Sequence, residues 1–379
     1  MSSHDLVVIS LEQWDQVWRR NQYLVAELLR ADPSLRVLFV EPPSDPVHDA
    51  LHGRLPRWRR GVRDAPRIDG VEPGRVHLLR PTKALPRRLD PGGDRRRALG
   101  VARAARDLGL TEPTLWLNDL GGVTLLDVTT WPVLYDITDD WLAAARSPAA
   151  HDRLAAAERR VLRDADVVTV CSPTLARRKG RHRPVVLVTN GVDAERYARP
   201  APRPDDLPAG RTAVYVGTLH GDRLDVDLCV RTARRLADDD ATLVLVGPSA
   251  LGATDLGLLR DAGVLVLGAR PWDAVPAYLQ HADALVVPHV VDAFTDSLDP
   301  IKLYEYRAAG RPVVSTPVAG FRESTDPLVL VTEPATLPDE VAAAVARPTA
   351  PRPTPRDLPT WSRQAGLLAG ALEGLRSRR

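Results

Sequence analysis

A lysine and a glutamate stand three residues apart in the stretch S-L-D-P-I-K-L-Y-E-Y-R-A-A-G at residues 297–310. Proline needs no backbone donor in the first turn of a helix, and glycine commonly ends one, so the stretch predicts a helix over residues 300–309. Lys302 then lies in the first turn and Glu305 one turn further along the same face. A helix N-terminus attracts anions, an ammonium adds a point charge for a phosphate, and a carboxylate accepts hydrogen bonds from vicinal hydroxyls. These residues predict a sugar-phosphate site that opens at Pro300.

A second group of candidates is acidic and lies in Y-D-I-T-D-D-W at residues 135–141. Asp136, Asp139 and Asp140 come at or just after a predicted strand, where carboxylates bind hydroxyls and one of them can orient an acceptor as a base. We predict Asp139 and Asp136 as the catalytic pair. The alternative is that Asp139 caps a helix starting near Asp140.

Two histidines, His220 and His289, also follow predicted strands. Either they contact substrate or they are solvated loop residues. Of the nine histidines, only His48 and His52 have the H-x-x-x-H spacing, and we predict no metal site.

Short apolar runs rich in Val, Leu and Ile alternate with helical patterns along the chain, as in strands buried on both faces of a parallel sheet. In the first half we predict strands at residues 6–10, 36–40, 76–79, 114–117, 133–136, 167–171 and 185–189, with helices at 17–30, 95–108 and 149–164. In the second half we predict strands at 213–216, 242–246, 264–267, 284–287, 312–315 and 328–331, with helices at 225–238, 300–309 and 361–375.

The two alternating series are separated by a segment that contains four prolines and no apolar periodicity, at residues 199–210. The pattern predicts an α/β protein with two doubly wound, Rossmann-like domains that face a cleft, with ligands at the carboxyl ends of the strands. We assign residues 1–198 to the first domain, 199–211 to the linker and 212–346 to the second domain. Residues 347–379 form a Pro-rich crossing segment and a helix that returns to the first domain, or alternatively caps its own.

The composition is that of a soluble globular protein, with 379 residues of which 44% are hydrophobic and 26% charged. A net charge of +2 gives no overall drive toward nucleic acid, and we predict no nucleic-acid partner. The two cysteines, Cys171 and Cys229, lie in apolar stretches typical of buried thiols in a reducing compartment. The sequence shows no signal peptide and no run of about 18 apolar residues. We therefore expect a cytoplasmic protein.

The stretch at residues 297–316 resembles the signature of retaining GT-B glycosyltransferases of family 4, in the subset with the pattern P-x-K-x-x-E-Y-x-A-x-G-x-P-V-V. The family signature has two glutamates eight positions apart. Glu305 matches the second, which in the family binds the ribose of the donor. The first would fall at Ser297, where this chain departs from the pattern, and Asp296 and Asp299 flank that place as candidate substitutes.

Other segments resemble the same family in the same order over about 330 residues. V-Y-V-G-T-L at residues 214–219 resembles the first strand and glycine loop of the donor domain, where Gly217 permits close approach to a diphosphate and Thr218 follows it. Arg223 lies where the family has basic residues beyond that loop. W-D-Q-V-W-R-R-N-Q at residues 14–22 resembles the first βα loop of teichuronic-acid-type, group 1 transferases.

The resemblance implies transfer of a sugar from a nucleotide-sugar donor, with retention at the anomeric carbon and without metal or other cofactor. The first domain would bind a saccharide, lipid-linked or small-molecule acceptor, and the second the donor, through Gly217, Thr218, Arg223, Ser297, Pro300, Lys302 and Glu305. UDP, GDP and dTDP remain open as the nucleotide.

Three alternatives stay open at this point. In the first, Lys302 and Glu305 form an ordinary ion pair on an exposed helix. In the second, the chain is a GT-B sugar-nucleotide epimerase. In the third, it binds a nucleotide-sugar without catalysis. An epimerase would isomerise the donor alone, and a binding protein would hold it without turnover.

Clusters of arginine at residues 54–63, 87–97, 177–183 and 376–379 are either solvated surface or a patch that meets anionic lipid. The second interpretation predicts a peripheral contact with the inner face of the membrane.

Overall fold

The structure is a computed structural model. It describes residues 5–46, 61–83, 85, 87, 89–144, 146–347, 350 and 352–376. The chain forms two compact units, Met1–Val188 together with Ser362–Arg379, and Thr189–Trp361. None of the helices in the described ranges is long and apolar enough to cross a bilayer.

The first unit contains an eight-stranded sheet, counted over the described residues, with the order β3-β4-β2-β1-β5-β6-β7-β8. Its pairings are parallel except that of β3 with β4. The strands are β1 Asp5–Ile9, β2 Arg36–Val40, β3 Val62–Asp64, β4 Val76–Leu79, β5 Thr114–Leu117, β6 Val133–Ile137, β7 Val167–Val170 and β8 Val186–Leu187. The run at residues 185–189 was predicted as a longer strand, but only two residues pair, at the sheet edge, where both side chains are exposed.

The helices of the first unit follow the apolar spacing of the sequence. They are α1 Arg20–Ala31, α2 Gly93–Asp107, α3 Pro148–Asp164, α4 Pro173–Lys179 and the C-terminal α11 Trp361–Arg376, of which Trp361 itself falls in the second unit. Helix α1 begins three residues later than predicted, because the Gln22 side chain accepts a hydrogen bond from the Arg19 N–H and starts the helix there.

The second unit contains a six-stranded, all-parallel sheet, counted over the described residues, with the order β11-β10-β9-β12-β13-β14. Its strands are β9 Arg211–Val216, β10 Ala241–Val246, β11 Leu265–Gly268, β12 Ala284–Val287, β13 Val313–Ser315 and β14 Val329–Val331. Its helices are α5 Ala194–Ala198, α6 Val226–Ala237, α7 Ala253–Asp261, α8 Val275–Gln280, α9 Ile301–Ala309 and α10 Leu337–Ala346.

Strand β9 lies inside the second sheet and is buried on both faces. Val214 and Val216 pack into one hydrophobic cluster with α8 and α9. Ala213 and Tyr215 point to the other face and pack with α6 and α10. The alternation puts Tyr215 on the face covered by α6 and α10. Its hydroxyl also reaches the Thr218 carbonyl in the loop after the strand, which is where the candidate site lies.

Candidate functional site

The candidate donor site lies at the carboxyl ends of the strands of the second sheet. Gly217 follows β9, Gly247 follows β10 and His289 follows β12. Helix α9 begins after the same strand as His289, with Pro300 at its N-cap. Loops at this edge of a parallel sheet bind ligands in doubly wound folds, so the predicted donor residues meet where such a site is expected.

Two glycines bring the backbones of β9 and β10 into contact at this edge. The φ angles are +152° at Gly217 and +147° at Gly247. The Gly217 N–H donates a 2.8 Å hydrogen bond to the Val246 carbonyl. A Cβ on Gly247 would lie 2.1 Å from the Gly217 carbonyl oxygen. Only glycine fits at position 247, because any side chain there would overlap the Gly217 carbonyl.

Lys302 lies directly over Gly217. A Cβ on that glycine would lie 2.4 Å from the lysine Cε and 2.5 Å from its Nζ. The ammonium is 5.1 Å from the centre of the Tyr215 ring. Burial and the neighbouring charge of Arg223 lower the pKa of Lys302 to about 8, against the opposing effect of Glu305. An ammonium in this environment gains from any anion that enters.

The start of α9 offers hydrogen-bond donors beside that ammonium. Its N-cap is Pro300, which provides no side-chain cap. Within the described part of the chain, the N–H groups of Ile301 and Lys302 donate no hydrogen bond. A helix N-terminus with uncapped donors and an adjacent cation binds phosphate oxygens well.

Glu305 lies one turn further along α9 and is fixed by a tyrosine. Tyr197 Oη donates a 2.8 Å hydrogen bond to Glu305 Oε1. Burial raises the pKa of Glu305, while Tyr197, Lys302 and Arg196 oppose the rise. Glu305 is half-buried and its carboxylate is bonded to Tyr197, so the structure does not support the surface ion-pair interpretation. The carboxylate is oriented and retains acceptor capacity for ligand hydroxyls.

His289 is a buried member of the site. It is 5% exposed, and its Nε2 lies 3.1 Å from Tyr215 Oη. Burial, followed by the charges of Lys302 and Arg223, holds the pKa of His289 well below its usual value. The imidazole is therefore neutral near pH 7, and the interpretation of His289 as a solvated loop residue is wrong.

Arg223 and Thr218 occupy the loop after β9, as the sequence places them. The Arg223 guanidinium lies 5.1 Å from the centre of the Phe294 ring. The charge of Arg223 also lowers the pKa of Lys302. The Thr218 carbonyl accepts from the His220 N–H at 3.1 Å and from Tyr215 Oη at 3.5 Å.

The place of the first family glutamate is inside the fold. Ser297 is fully buried in a short 3₁₀ turn, and its hydroxyl donates a 2.7 Å hydrogen bond to the Phe294 carbonyl. Asp299 accepts from the Asn190 N–H at 2.5 Å and from Tyr304 Oη at 2.6 Å. The prediction of Ser297 as a donor-contacting side chain is not compatible with this packing, because the hydroxyl is bonded in the interior.

Asp296 is also engaged. It forms a 2.7 Å ion pair with Arg322. Both candidate substitutes for the missing glutamate therefore have partners within the chain.

In the first unit, Asp136 is a structural residue rather than a candidate base. It is fully buried, and Arg20 donates two hydrogen bonds of 3.1 Å to its two oxygens. Thr169 Oγ1 donates a third, at 2.8 Å. The prediction of Asp136 as catalytic is wrong for a physical reason: it lies inside the sheet and its carboxylate is already bonded.

Asp139 is half-buried and accepts a 3.1 Å hydrogen bond from Thr138 Oγ1. The neighbouring Asp140 is buried and binds Arg178 at 2.9 Å and Lys179 at 3.3 Å. Among the described residues no helix starts near Asp140, because residues 141–144 form a turn and a bend, and α3 begins only at Pro148. The capping interpretation of Asp139 is therefore wrong, and its role with an acceptor stays a prediction.

The second unit matches a known family. Residues 210–348 match the family described as "Glycosyl transferases group 1". This part of the chain is therefore similar to a group 1 glycosyltransferase domain. All of the donor-site residues described above lie within the matched residues or, for Tyr197, just before them, and the resemblance stated from the sequence is confirmed.

A curated relative extends the similarity. The chain is 29% identical over 232 residues to the putative teichuronic acid biosynthesis glycosyltransferase TuaH of Bacillus subtilis (strain 168). The match covers 57% of this chain and 58% of that relative, so the alignment spans little more than half of the relative's length.

Solved structures with the GT-B fold match the chain almost end to end. Sucrose-phosphate synthase from Thermosynechococcus elongatus has a TM-score of 0.67 at 18% identity, covering 99% of this chain and 100% of that one. HepE from Anabaena, solved in complex with UDP, has a TM-score of 0.59 at 14% identity, with 99% and 100% covered. The predicted fold, GT-B with two Rossmann-like domains, is confirmed. The group 1 domain supplies the second of its sheets.

Proposed function

We propose that this chain is a glycosyltransferase that moves a sugar from a nucleotide-sugar donor to a saccharide, lipid-linked or small-molecule acceptor. The observation that carries the proposal is the place of Lys302, over Gly217 and at the open start of α9, inside a group 1 domain. An ammonium and free helix N–H groups at the end of a buried strand suit a diphosphate, which gains negative charge as it leaves the sugar.

Each donor-site residue has a part in this reaction. Lys302 and the first N–H groups of α9 stabilise the leaving diphosphate, with Arg223 as a second cation nearby. Glu305, held by Tyr197, accepts hydrogen bonds from the ribose hydroxyls. Retention and independence of metal belong to the proposal, and the family resemblance supports them.

The nucleotide and the acceptor also belong to the proposal. HepE is described in complex with UDP, and TuaH is named for teichuronic acid, so a UDP-sugar and a bacterial polysaccharide are the first pair to test. GDP- and dTDP-sugars stay in the screen. No further cofactor is proposed.

Glu305 gives the direct test of the donor site. A thermal-shift screen of the protein with UDP-, GDP- and dTDP-sugars identifies the donor, because a ligand that binds the native state raises its melting temperature. Glu305→Ala should then weaken donor binding by at least tenfold. Glu333→Ala, on an exposed residue of the same unit, is the matched control and should bind as the unaltered protein does. Unchanged affinity and turnover in Glu305→Ala would reject the site.

The reaction products separate the proposal from its rivals. Donor incubated alone should give at most slow hydrolysis, and transfer should require acceptor. An isomerised donor would indicate an epimerase instead, and tight binding without any turnover would indicate a binding protein. NMR of the new anomeric linkage tests retention, and activity that persists in EDTA tests metal independence.

We also propose contact with anionic lipid at the inner face of the membrane. The exposed side of α2 supports it, because Leu99 is 47% exposed between Arg95 and Arg103. An open cavity of about 690 Å³ adjoins this face, lined by Leu99, Arg95, Arg106 and Trp131 among others. Arginine beside an exposed apolar side chain suits a lipid surface.

The other predicted clusters contribute less. Residues 54–60 and 377–379 lie outside the described residues. Arg87, Arg96 and Arg178 form ion pairs with acidic side chains of the same chain.

The double variant Arg95→Glu/Arg103→Glu should no longer co-sediment with phosphatidylglycerol vesicles. The control variant Arg260→Glu, on an exposed face of the second unit, should still co-sediment with them. If the unaltered protein sediments equally with phosphatidylcholine and phosphatidylglycerol vesicles, the proposed contact is rejected.

A further inference from the structure

Tyr215 combines two features that are unusual together: it is a core residue, and it touches the candidate site. The side chain is 1% exposed and packs with α6 and α10. Its hydroxyl lies 3.1 Å from His289 Nε2 and within 3.5 Å of the Thr218 carbonyl. The Tyr215 and His289 rings meet edge to face, with centroids 5.6 Å apart. The ring is therefore held in one orientation by packing and by a hydrogen bond.

The ring faces the Lys302 ammonium at 5.1 Å. The charged or titratable groups that act on this ammonium are Arg223, Glu305 and the neutral His289. Among the described residues, the carboxylate that acts on Lys302 is that of Glu305, and it is bonded to Tyr197 Oη. An aromatic face is thus the partner that the structure provides for this cation.

The kind of partner matters for a phosphate site. A carboxylate at contact distance would neutralise the ammonium and compete with an incoming diphosphate. An aromatic face attracts the cation through its quadrupole but leaves the full positive charge and the N–H donors available. Gly217 completes the arrangement, because its missing side chain leaves the space that the end of Lys302 occupies.

We propose that Tyr215 is a positioning residue for the donor: its ring face, fixed by His289, holds the Lys302 ammonium over Gly217, where it meets the donor diphosphate. This inference rests on the proposed function, since it names what directs the cation of that site. Tyr215 acts through Lys302 and has no direct role at the reacting atoms.

The test measures UDP binding by isothermal titration calorimetry, with GDP and dTDP in parallel, so that it needs no knowledge of the acceptor. The variants are Tyr215→Leu, Lys302→Met and the double variant, a cycle that isolates the coupling between the two side chains. Tyr215→Leu should weaken nucleotide binding about tenfold, which corresponds to about 1.4 kcal/mol. In the Lys302→Met background the same change should add less than twofold.

Two further variants separate positioning from general loss of structure. Tyr215→Phe keeps the ring and should bind within about threefold of the unaltered protein. Leu337→Ala removes a fully buried side chain from the same hydrophobic cluster and should lower the melting temperature without changing affinity. Tyr215→Met replaces Tyr215→Leu if the latter does not fold.

The outcomes distinguish the positioning role of Tyr215 from the donor site itself. If Tyr215→Leu weakens binding by the same factor with and without Lys302, or has no effect, the positioning role is overturned while the donor site stands. If Lys302→Met binds like the unaltered protein, or if none of the three nucleotides binds, the proposed function fails and this inference fails with it.

Discussion

The end of the Lys302 side chain occupies the space that a side chain on Gly217 would need. The two residues are 85 positions apart, and a Cβ on the glycine would lie 2.4 Å from the lysine Cε. The loop after β9 and the start of α9 thus fit together only when one residue has no side chain.

Gly217→Ala should displace Lys302 and weaken donor binding by at least tenfold. The new methyl group overlaps Cε and Nζ, and alanine is strained at a φ of +152°. Gly257→Ala is the matched control: nothing lies within 4 Å of its Cβ position, and it is inside helix α7. That change should raise the free energy of unfolding by about 0.5–1 kcal/mol and leave donor affinity unchanged. Equal donor affinity in both variants would contradict the proposed contact.

The dependence of donor capture on pH should report Lys302. Its pKa is lowered to about 8, so the cationic form is lost as the pH rises through that value. The kcat/KM for donor, which reflects the free enzyme, should be level below pH 8 and fall up to tenfold per unit above it. Lys302→Arg keeps its charge throughout and should remove this decline, even if its activity is lower. A decline that persists unchanged in Lys302→Arg would assign it to another group.

Asp136→Ala should destabilise the fold. The change leaves Arg20 buried without its carboxylate partner, and breaking a buried ion pair in this way costs about 3–5 kcal/mol. Urea unfolding followed by circular dichroism measures the loss. Asp152→Ala, on the exposed face of α3, is the control and should change stability by less than about 0.5 kcal/mol. A stable Asp136→Ala protein that lacks transfer activity would instead restore a catalytic role.

Asp299→Ala should loosen the start of α9. Its carboxylate accepts from the Asn190 N–H and from Tyr304 Oη, and both donors are left unsatisfied when it is removed. We expect a loss of about 1–3 kcal/mol in stability together with a higher KM for donor. Asp326→Ala is the comparison, because it also removes a carboxylate bound to α9, through Arg307, but at the far end of the helix. A KM that rises equally in both variants would mean that Asp299 has no special effect on the helix start.

Much of the fold follows from local patterns in the sequence. Strands such as β2, β4, β5 and β12 have the predicted bounds, because each is a short apolar run and turn-forming or helical segments lie on both sides of it. Helix α9 could be placed for the same reason, with proline before it and Gly310 after it. Helix geometry then places Lys302 and Glu305 on one face, and the family resemblance is what points to a donor site there.

The rest of the site depends on contacts between residues distant in sequence. Tyr215 reads as an ordinary core residue of β9, and only the packing shows that its ring also faces Lys302. Tyr197 lies 108 positions from the Glu305 that it orients. The opposite error occurred at Asp136, which reads as a strand-end carboxylate because its partner Arg20 is 116 positions away. The periodicity of a single sequence does not show which distant residues contact each other.

The division of the chain into units has a consequence for how the molecule is made. The first unit consists of Met1–Val188 and the late segment Ser362–Arg379, with all of Thr189–Trp361 between them in sequence. During synthesis the ribosome must translate the whole glycosyltransferase domain before it supplies helix α11. The first unit is therefore complete only after the second has been translated, and a chain cut before Ser362 would lack the part of helix α11 that belongs to the first unit.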